Sequence, residues 1–154
     1  MDLQGSHPID ATPQQVWEAM NDPAVLMACI PGCDTCEATA PGVFEVSAAF
    51  KIGLLSARFG GAIALTDVEP PHRYTINVEG RGAAGFGRGR ARVVLAEAVA
   101  PGTGCTLQYT LQVDVGGKVA QVAGRWLGST AEALVGKFFL RFDKALQQRL
   151  RNRA

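Results

Sequence analysis

At Gly116-Gly117 the hydrophobic period of this chain changes, and that change limits the fold more than any other feature. From Cys33 to Val115 apolar residues alternate with polar ones. Phe44, Val46, Ala48, Phe50 and Ile52 form one such run, and Ala57, Phe59, Gly61, Ile63 and Leu65 a second. Tyr74, Ile76 and Val78 form a third, Ala91, Val93 and Leu95 a fourth, and Cys105 through Val115 a fifth. One apolar and one wet face is the signature of antiparallel strands. After the two glycines, Val119, Val122, Trp126, Thr130, Leu134, Phe138, Phe142, Ala145 and Leu146 return every three or four residues. That spacing predicts one amphipathic helix of about thirty residues, roughly 45 Å long. A sheet and a helix that each offer one apolar face bury both by packing together. The predicted fold is therefore α+β, with a curved antiparallel sheet wrapped around a long C-terminal helix.

The first third supplies the rest of the frame. Leu3 to Ile9 reads as a strand. Thr12 stands at an N-cap, with Pro13 at the first helical position and Gln15 three residues after the cap, which predicts a helix over 13–21. Asp22-Pro23 repeats the signal, and Pro31-Gly32 stops the second short helix. Turns are expected at Ala40-Pro41-Gly42, Glu69-Pro70-Pro71, 81–85 and 101–104, which fit a meander of about six strands. No repeat or linker interrupts the pattern. Residues 1–150 read as one domain, with 151–154 as a basic end.

Fifteen Lys and Arg stand against fourteen acidic residues. This balance argues against a general nucleic-acid binder. The near-neutral total is uneven: residues 1–50 hold seven acids and no Lys or Arg, and the remainder holds seven acids and all fifteen cations. The N-terminus lacks a basic region followed by an apolar run, and no window is long and apolar enough for a membrane span. A cytoplasmic protein is expected, with the Arg-rich end (Arg141, Lys144, Arg149, Arg151, Arg153) open to contact with anionic lipid at the inner membrane face.

Catalytic signals are sparse. Cys33-Asp34-Thr35-Cys36 has the CxxC spacing, with Cys29 four residues before, but no zinc-type fourth ligand is evident in sequence. The motif leads into a strand rather than a helix, so a redox pair lacks its usual setting and ordinary thiols are expected. Glu79 and Asp114 lie on wet faces that would have to meet inside a cleft to work as acid and base. No metal site and no catalytic residue is assigned.

Small residues recur where a core should be full. Ala120, Gly124, Gly128 and Ala131 follow one side of the helix, and Ala48, Ala57 and Gly61 stand among sheet phenylalanines. Close helix-to-sheet contact and an apolar cavity both explain them. If a cavity exists, its lining is expected from Phe44, Phe50, Phe59, Ile63, Tyr74, Ile76, Val93, Leu107, Tyr109, Gly124, Gly128, Leu134 and Phe138. The hydroxyls of Tyr74 and Tyr109 would be available to orient a carbonyl or quinone oxygen. The run GRGAAGFGRG over 80–89 predicts a flexible hairpin tip, with Gly82, Gly85, Phe86 and Gly87 at a cavity mouth. Arg88, Arg90 and Arg92 then share a wet face, either simply solvated or a docking patch for an acidic partner.

Several of these elements together resemble a known family. Ile9, Thr12-Pro13, Val16-Trp17, Asp22-Pro23, Ile30-Pro31-Gly32-Cys33, Gly53, Gly116-Gly117-Lys118-Val119-Ala120, Gly124-Arg125 and Phe138-Phe139 are similar to the pattern of the CoxG-like proteins of carbon monoxide dehydrogenase systems. These belong to the START-like, or helix-grip, superfamily. The resemblance implies a hydrophobic cavity between sheet and long helix. It also implies a non-catalytic accessory role, in maturation, membrane recruitment or quinone delivery. The partner implied is a carbon monoxide dehydrogenase-like molybdenum hydroxylase or another redox enzyme. No covalent cofactor is implied, and a quinone or lipid is the expected cargo. Many members continue into an apolar anchoring tail, which is not expected of the sequence as given. The resemblance leaves two alternatives: a cargo-free interaction module, and a small polyketide cyclase-like or hydrolase-like enzyme.

Overall fold

The computed structural model describes residues 2–30, 32–52, 55–97, 104–123 and 127–153, excluding the side chains of 50–52, 55, 57, 122–123 and 127–131. The chain runs β1 (Asp2–Ile9), α1 (Pro13–Met20), α2 (Pro23–Cys29), β2 (Cys33–Ala40), β3 (Val43–Ile52), β4 (Leu55–Glu69), β5 (Arg73–Gly82), β6 (Gly85–Glu97), β7 (Cys105–Gly116), α3 (Lys118–Ala123) and α4 (Leu127–Arg153). Both short helices start on the predicted caps. Thr12 Oγ1 accepts from the Gln15 amide at 3.2 Å while Gln15 Oε1 accepts from the Thr12 amide at 2.9 Å, a complete capping box. Asp22 Oδ1 accepts from the Ala24 amide at 3.0 Å.

The seven strands form one antiparallel sheet in the order β1-β7-β6-β5-β4-β3-β2. Strands β2 to β7 are the predicted meander. β1 adds to the far edge beside β7, pairing Leu3 with Leu111 and Ile9 with Cys105. Such a pairing between the two ends of the chain has no local sequence signature.

The predicted single helix is found as α3 and α4, on either side of residues 124–126, which lie outside the described set. Gly117, at φ +79°, turns the chain from β7 into α3, a left-handed backbone position that favours glycine. The Val119 amide then donates to the Ala84 carbonyl at 2.9 Å, tying the start of α3 to the β5–β6 turn.

Helix α4 packs beside α2 and reaches β1. Its Arg149 side chain is only 16% exposed and donates to Asp22 at 3.2 Å, with Glu18 at 3.9 Å; Arg153 approaches Glu18 at 3.6 Å. The acidic first third and the basic remainder therefore meet here, and their charges partly cancel. The uneven charge along the sequence is not a simple division in space. The helix also continues through Arg153, so the basic end is part of α4.

Two separate apolar clusters hold the layers together. The larger joins α1, α2 and the C-terminal half of α4 to the sheet through Val16, Leu26, Phe44, Ile63, Tyr74, Val93, Leu107, Phe142 and Leu146, among others. The smaller, at the opposite end of the sheet, joins Phe59 and Val119, with Ala84 and Val115 against them.

Candidate ligand-binding hollow

Between these clusters the inward face of the sheet is apolar but incompletely covered. On β5 the inward positions run Tyr74, Ile76, Val78 and Gly80. Tyr74 is 2% exposed, whereas Val78 on the same face is 39% exposed. In register with them stand Ala91, Gly89 and Gly87 on β6, and Leu111, Val113 and Val115 on β7. Val78, Ala91, Leu111 and Val113 belong to neither cluster. Across the sheet, Leu134 and Val135 of α4 are half-buried and join neither cluster. They occupy the helix face that also carries Phe138 and Phe142.

Glycine recurs along this inward face, at Gly80, Gly87 and Gly89. Among the described residues, a Cβ at Gly89 would touch only Leu111 and the Gln112 carbonyl at 3.9 Å, and one at Gly87 only Val115 at 3.9 Å. A methyl group at either position would make ordinary van der Waals contact without a clash. Gly61 differs: a Cβ there would fall onto the Glu79 carbonyl, so its glycine permits close approach of two backbones.

The expected cavity residues divide accordingly. Phe44, Ile63, Tyr74, Val93 and Leu107 are buried in the larger cluster, and Ile76, Tyr109 and Phe138 pack at its margin. Phe59 belongs to the smaller cluster, and Leu134 is half-buried and belongs to neither. Gly124, and the side-chain surroundings of Phe50 and Gly128, lie outside the described residues. Val78, Ala91, Leu111 and Val113 face inward by their alternation and register but stand outside the expected lining set. The sequence reading placed Gly80, Gly87 and Gly89 in a tip, whereas they sit within strands.

The hairpin over 80–89 closes in a two-residue turn. Gly82 and Gly85 pair directly across a turn made by Ala83 and Ala84. Gly85, at φ +127°, lies against the Gly116 carbonyl. Phe86 packs over Gly116, flanked by the Arg81 and Arg88 guanidiniums at 6.0 and 5.8 Å from its ring centre. The mouth residues Gly82, Gly85, Phe86 and Gly87 thus stand together at one end of the sheet, under α3.

The polar groups of the inner face have distinct surroundings. Tyr109 lies across Gly5, its ring 5.7 Å from Phe139, so its hydroxyl is directed toward β1. The Tyr74 hydroxyl is buried without a hydrogen-bond partner, its ring 4.9 Å from Trp17, and burial raises its pKa. His7, remote in sequence, meets α4: Nε2 lies 2.9 Å from Asp143 Oδ2, and the ring stacks on Phe139 at 4.4 Å.

All four cysteines are free thiols. Cys33 and Cys36 pair with Ala48 and Val46, both inward positions, because an irregularity at Asp34 shifts the register by one. Burial raises the pKa of both thiols, and raises that of Cys29 to about 12 against the opposing effect of Arg141. Among the described residues no three His, Cys, Asp or Glu side chains gather as a metal site. Glu79 and Asp114 do not meet, because Arg88 stands in register between them.

The wet face is charged and paired. Arg88 reaches Glu79 and Arg90 reaches Asp67, each at 3.9 Å, while Arg92 has no ion pair among the described residues. Arg58 meets Asp34 at 2.6 Å and holds that carboxyl below the usual range by a hydrogen bond. A shallow depression of about 590 Å³ crosses this face past Glu37, Glu45, Gly60 and Glu79, unlike the apolar interior in character.

A conserved protein from Geobacillus kaustophilus has a solved structure that is similar at TM-score 0.87, with 29% identity over 96% of each chain. A START superfamily protein from Mycobacterium smegmatis is similar at TM-score 0.62 and 17% identity, covering 99% of both chains. A Thermus thermophilus protein is similar at TM-score 0.68 and 12% identity, over 97% of this chain and 99% of that one. The last two likenesses show the fold alone, a helix-grip arrangement. No functionally curated protein matches the chain in sequence. The model of the carbon monoxide dehydrogenase CoxG family matches residues 5–147, so the chain belongs to that family.

Proposed function

We propose that the protein is a non-catalytic carrier of an apolar molecule, a quinone or lipid, held between the sheet and α4 in service of a redox enzyme. The observation that carries this reading is Val78, an inward-facing residue 39% exposed among half-buried apolar neighbours and strand glycines. An apolar surface that the fold turns inward but leaves uncovered gains free energy when a hydrophobic ligand covers it, about 25 cal/mol per Å². The Tyr74 hydroxyl supplies the nearby polar group that a quinone or ester carbonyl would satisfy. Family membership supports a carbon monoxide dehydrogenase-like molybdenum hydroxylase as the enzyme served. The exposed row Arg88, Arg90 and Arg92 is the docking patch proposed for it.

Native mass spectrometry of protein purified from its own host tests the carrier reading. A stoichiometric quinone or lipid is expected, and Gly89→Leu, which fills the hollow, should abolish it while the protein remains folded. Cargo-free wild-type protein, or unchanged cargo in folded Gly89→Leu protein, would overturn the reading.

A further inference from the structure

In a regular strand Cys33 and Cys36, three residues apart, would point to opposite faces of the sheet. β2 is not regular there. Cys33 pairs with Ala48, Thr35 with Ser47 and Cys36 with Val46, so β2 takes three steps where β3 takes two. Asp34 is the extra residue of a β-bulge. The bulge turns both cysteines to one face, in neighbouring positions, because Ala48 and Val46 stand two residues apart on β3. Asp34 is held on the wet face, where Arg58 meets its carboxylate at 2.6 Å and donates to Ser47 at 2.9 Å.

The backbone around the pair is fixed on both sides. The Cys33 amide donates to the Ile30 carbonyl at 3.1 Å, and the Ala49 amide to the Gly32 carbonyl at 3.0 Å. These bonds tie the start of β2 to the end of α2 and to β3. The Cys33 thiol donates to the Thr35 carbonyl at 3.2 Å, so its sulfur lies along the strand on the side of Cys36. Cys36 is buried in the larger cluster, whereas Cys33 is half-buried at its margin. β2 is an outermost strand, and the pair is reached from that edge of the sheet.

Spacing decides what such a pair can hold. Neighbouring positions on one face of a strand lie about 7 Å apart between Cα atoms. That is the upper limit for a disulfide, about 4.4–6.8 Å, whose Cβ atoms must also close to about 3.5–4.5 Å. A cation held between two thiolates spans a wider gap than an S–S bond. Zinc calls for four ligands, and among the described residues no group of three His, Cys, Asp or Glu side chains forms around the pair. Soft d10 cations such as Cu(I) select thiolate sulfur and accept two ligands.

We propose that Cys33 and Cys36 form a two-thiolate binding site for a soft monovalent cation of the Cu(I) class. Binding joins the cation to both sulfurs and releases both thiol protons to solvent. No oxidation state changes, so no oxidant or reductant takes part. The site sits on β2, at the far side of the sheet from β6 and β7, and is independent of what the interior carries.

The test is anaerobic titration of the reduced full chain with Cu(I), in competition with the chromogenic chelator bicinchoninate. The wild type is expected to withdraw one equivalent per chain. Cys33→Ser and Cys36→Ala should each weaken binding by more than the roughly 10–100-fold that loss of an outer-shell partner costs a metal site. Cys105→Ala, on β7, keeps the pair and should bind as wild type. Circular dichroism verifies folding of each variant, and Cys33→Ser, at the half-buried position, carries the test if Cys36→Ala is unstable. Failure of the wild type to take up Cu(I), or unchanged affinity in folded Cys33→Ser, would overturn the proposal. Half an equivalent per chain would overturn it too, because one cation would then bridge two molecules instead of the two thiols of one.

Discussion

The two halves of the interior are built from the same strands yet differ in kind. Toward the α1–α2 end, inward strand residues such as Phe44, Tyr74 and Leu107 share one buried cluster with the helical layer, in which Val16, Cys29, Phe142 and Leu146 are fully buried. Further along, β5 and β6 continue unbroken, but glycine and alanine replace the large residues, and among the described residues Val78, Ala91 and Leu111 join neither apolar cluster. The backbone ladder is continuous through both regions. Side-chain volume, not topology, separates the packed core from the hollow. The first region holds the fold, and the second is where the proposed cargo would lie.

Truncation should expose this difference most strongly. Phe142→Ala removes a fully buried ring stacked on Phe138 at 5.9 Å, and is expected to cost about 3–5 kcal/mol in urea unfolding. Val78→Ala, on the same sheet face in the hollow, should cost under about 1 kcal/mol, because the atoms removed are already partly in water. Equal losses at both sites would remove the distinction between the two regions.

Much of the packed half was legible in the sequence and much of the hollow was not. Caps and alternation are local: Thr12 with Gln15, Asp22 with Pro23, and the run from Cys105 to Val115 specify their own conformations. The pairing of β1 with β7 is not local, so the sequence could not bring His7 to Asp143 or lay Tyr109 over Gly5. The run over 80–89 misleads for another reason. Glycine is the usual mark of a turn, and only the register with β4 and β7 shows that Gly80, Gly87 and Gly89 are strand residues. Family resemblance provided the cavity as an expectation, but not its position.

Glycine substitutions sharpen the comparison next. Gly61→Ala puts a methyl group onto the Glu79 carbonyl and should cost about 2 kcal/mol or more, since a backbone rather than a side chain must move. Gly89→Ala meets nothing closer than 3.9 Å and should stabilise the chain by about 0.5–1 kcal/mol, as expected for replacing a strand glycine without a clash. Thermal unfolding of the two variants decides the matter. Destabilisation by Gly89→Ala would mean that the hollow is narrower than its lining indicates.

Alkaline pH separates the regions by a different route. Cys29, Cys105 and Tyr74 all belong to the packed cluster, and burial raises the pKa of each. The folded state therefore favours their neutral forms. For Cys29 the stabilisation is complete below the ordinary value of 9.0 and is lost as pH rises toward about 12. In this window unfolding free energy should fall by up to about 1.4 kcal/mol per pH unit for each group still neutral in the fold but ionised in the unfolded chain. The apolar lining of the hollow contains no titratable side chain among Val78, Ala91, Leu111, Val113, Leu134 and Val135. Cargo affinity should stay level over the range in which the protein remains folded. Urea midpoints and cargo titrations measured at the same pH values check both parts, and a flat urea midpoint above pH 9 contradicts the first.

The smallest effect tests where the two regions meet. Tyr74 is the residue before the inner face opens at Ile76 and Val78, and its hydroxyl is buried without a partner. An unsatisfied buried hydroxyl costs about 1–3 kcal/mol, so Tyr74→Phe should stabilise the empty protein by about 1 kcal/mol while leaving the Trp17 contact intact. If the hydroxyl also meets a cargo carbonyl, the same variant should bind a quinone up to tenfold more weakly than wild type, yet bind a hydrocarbon of equal length as well as before. A structural role alone changes both ligands equally. The ratio of the two affinities therefore reports the hydrogen bond itself, and an unchanged ratio would assign Tyr74 wholly to the packed core.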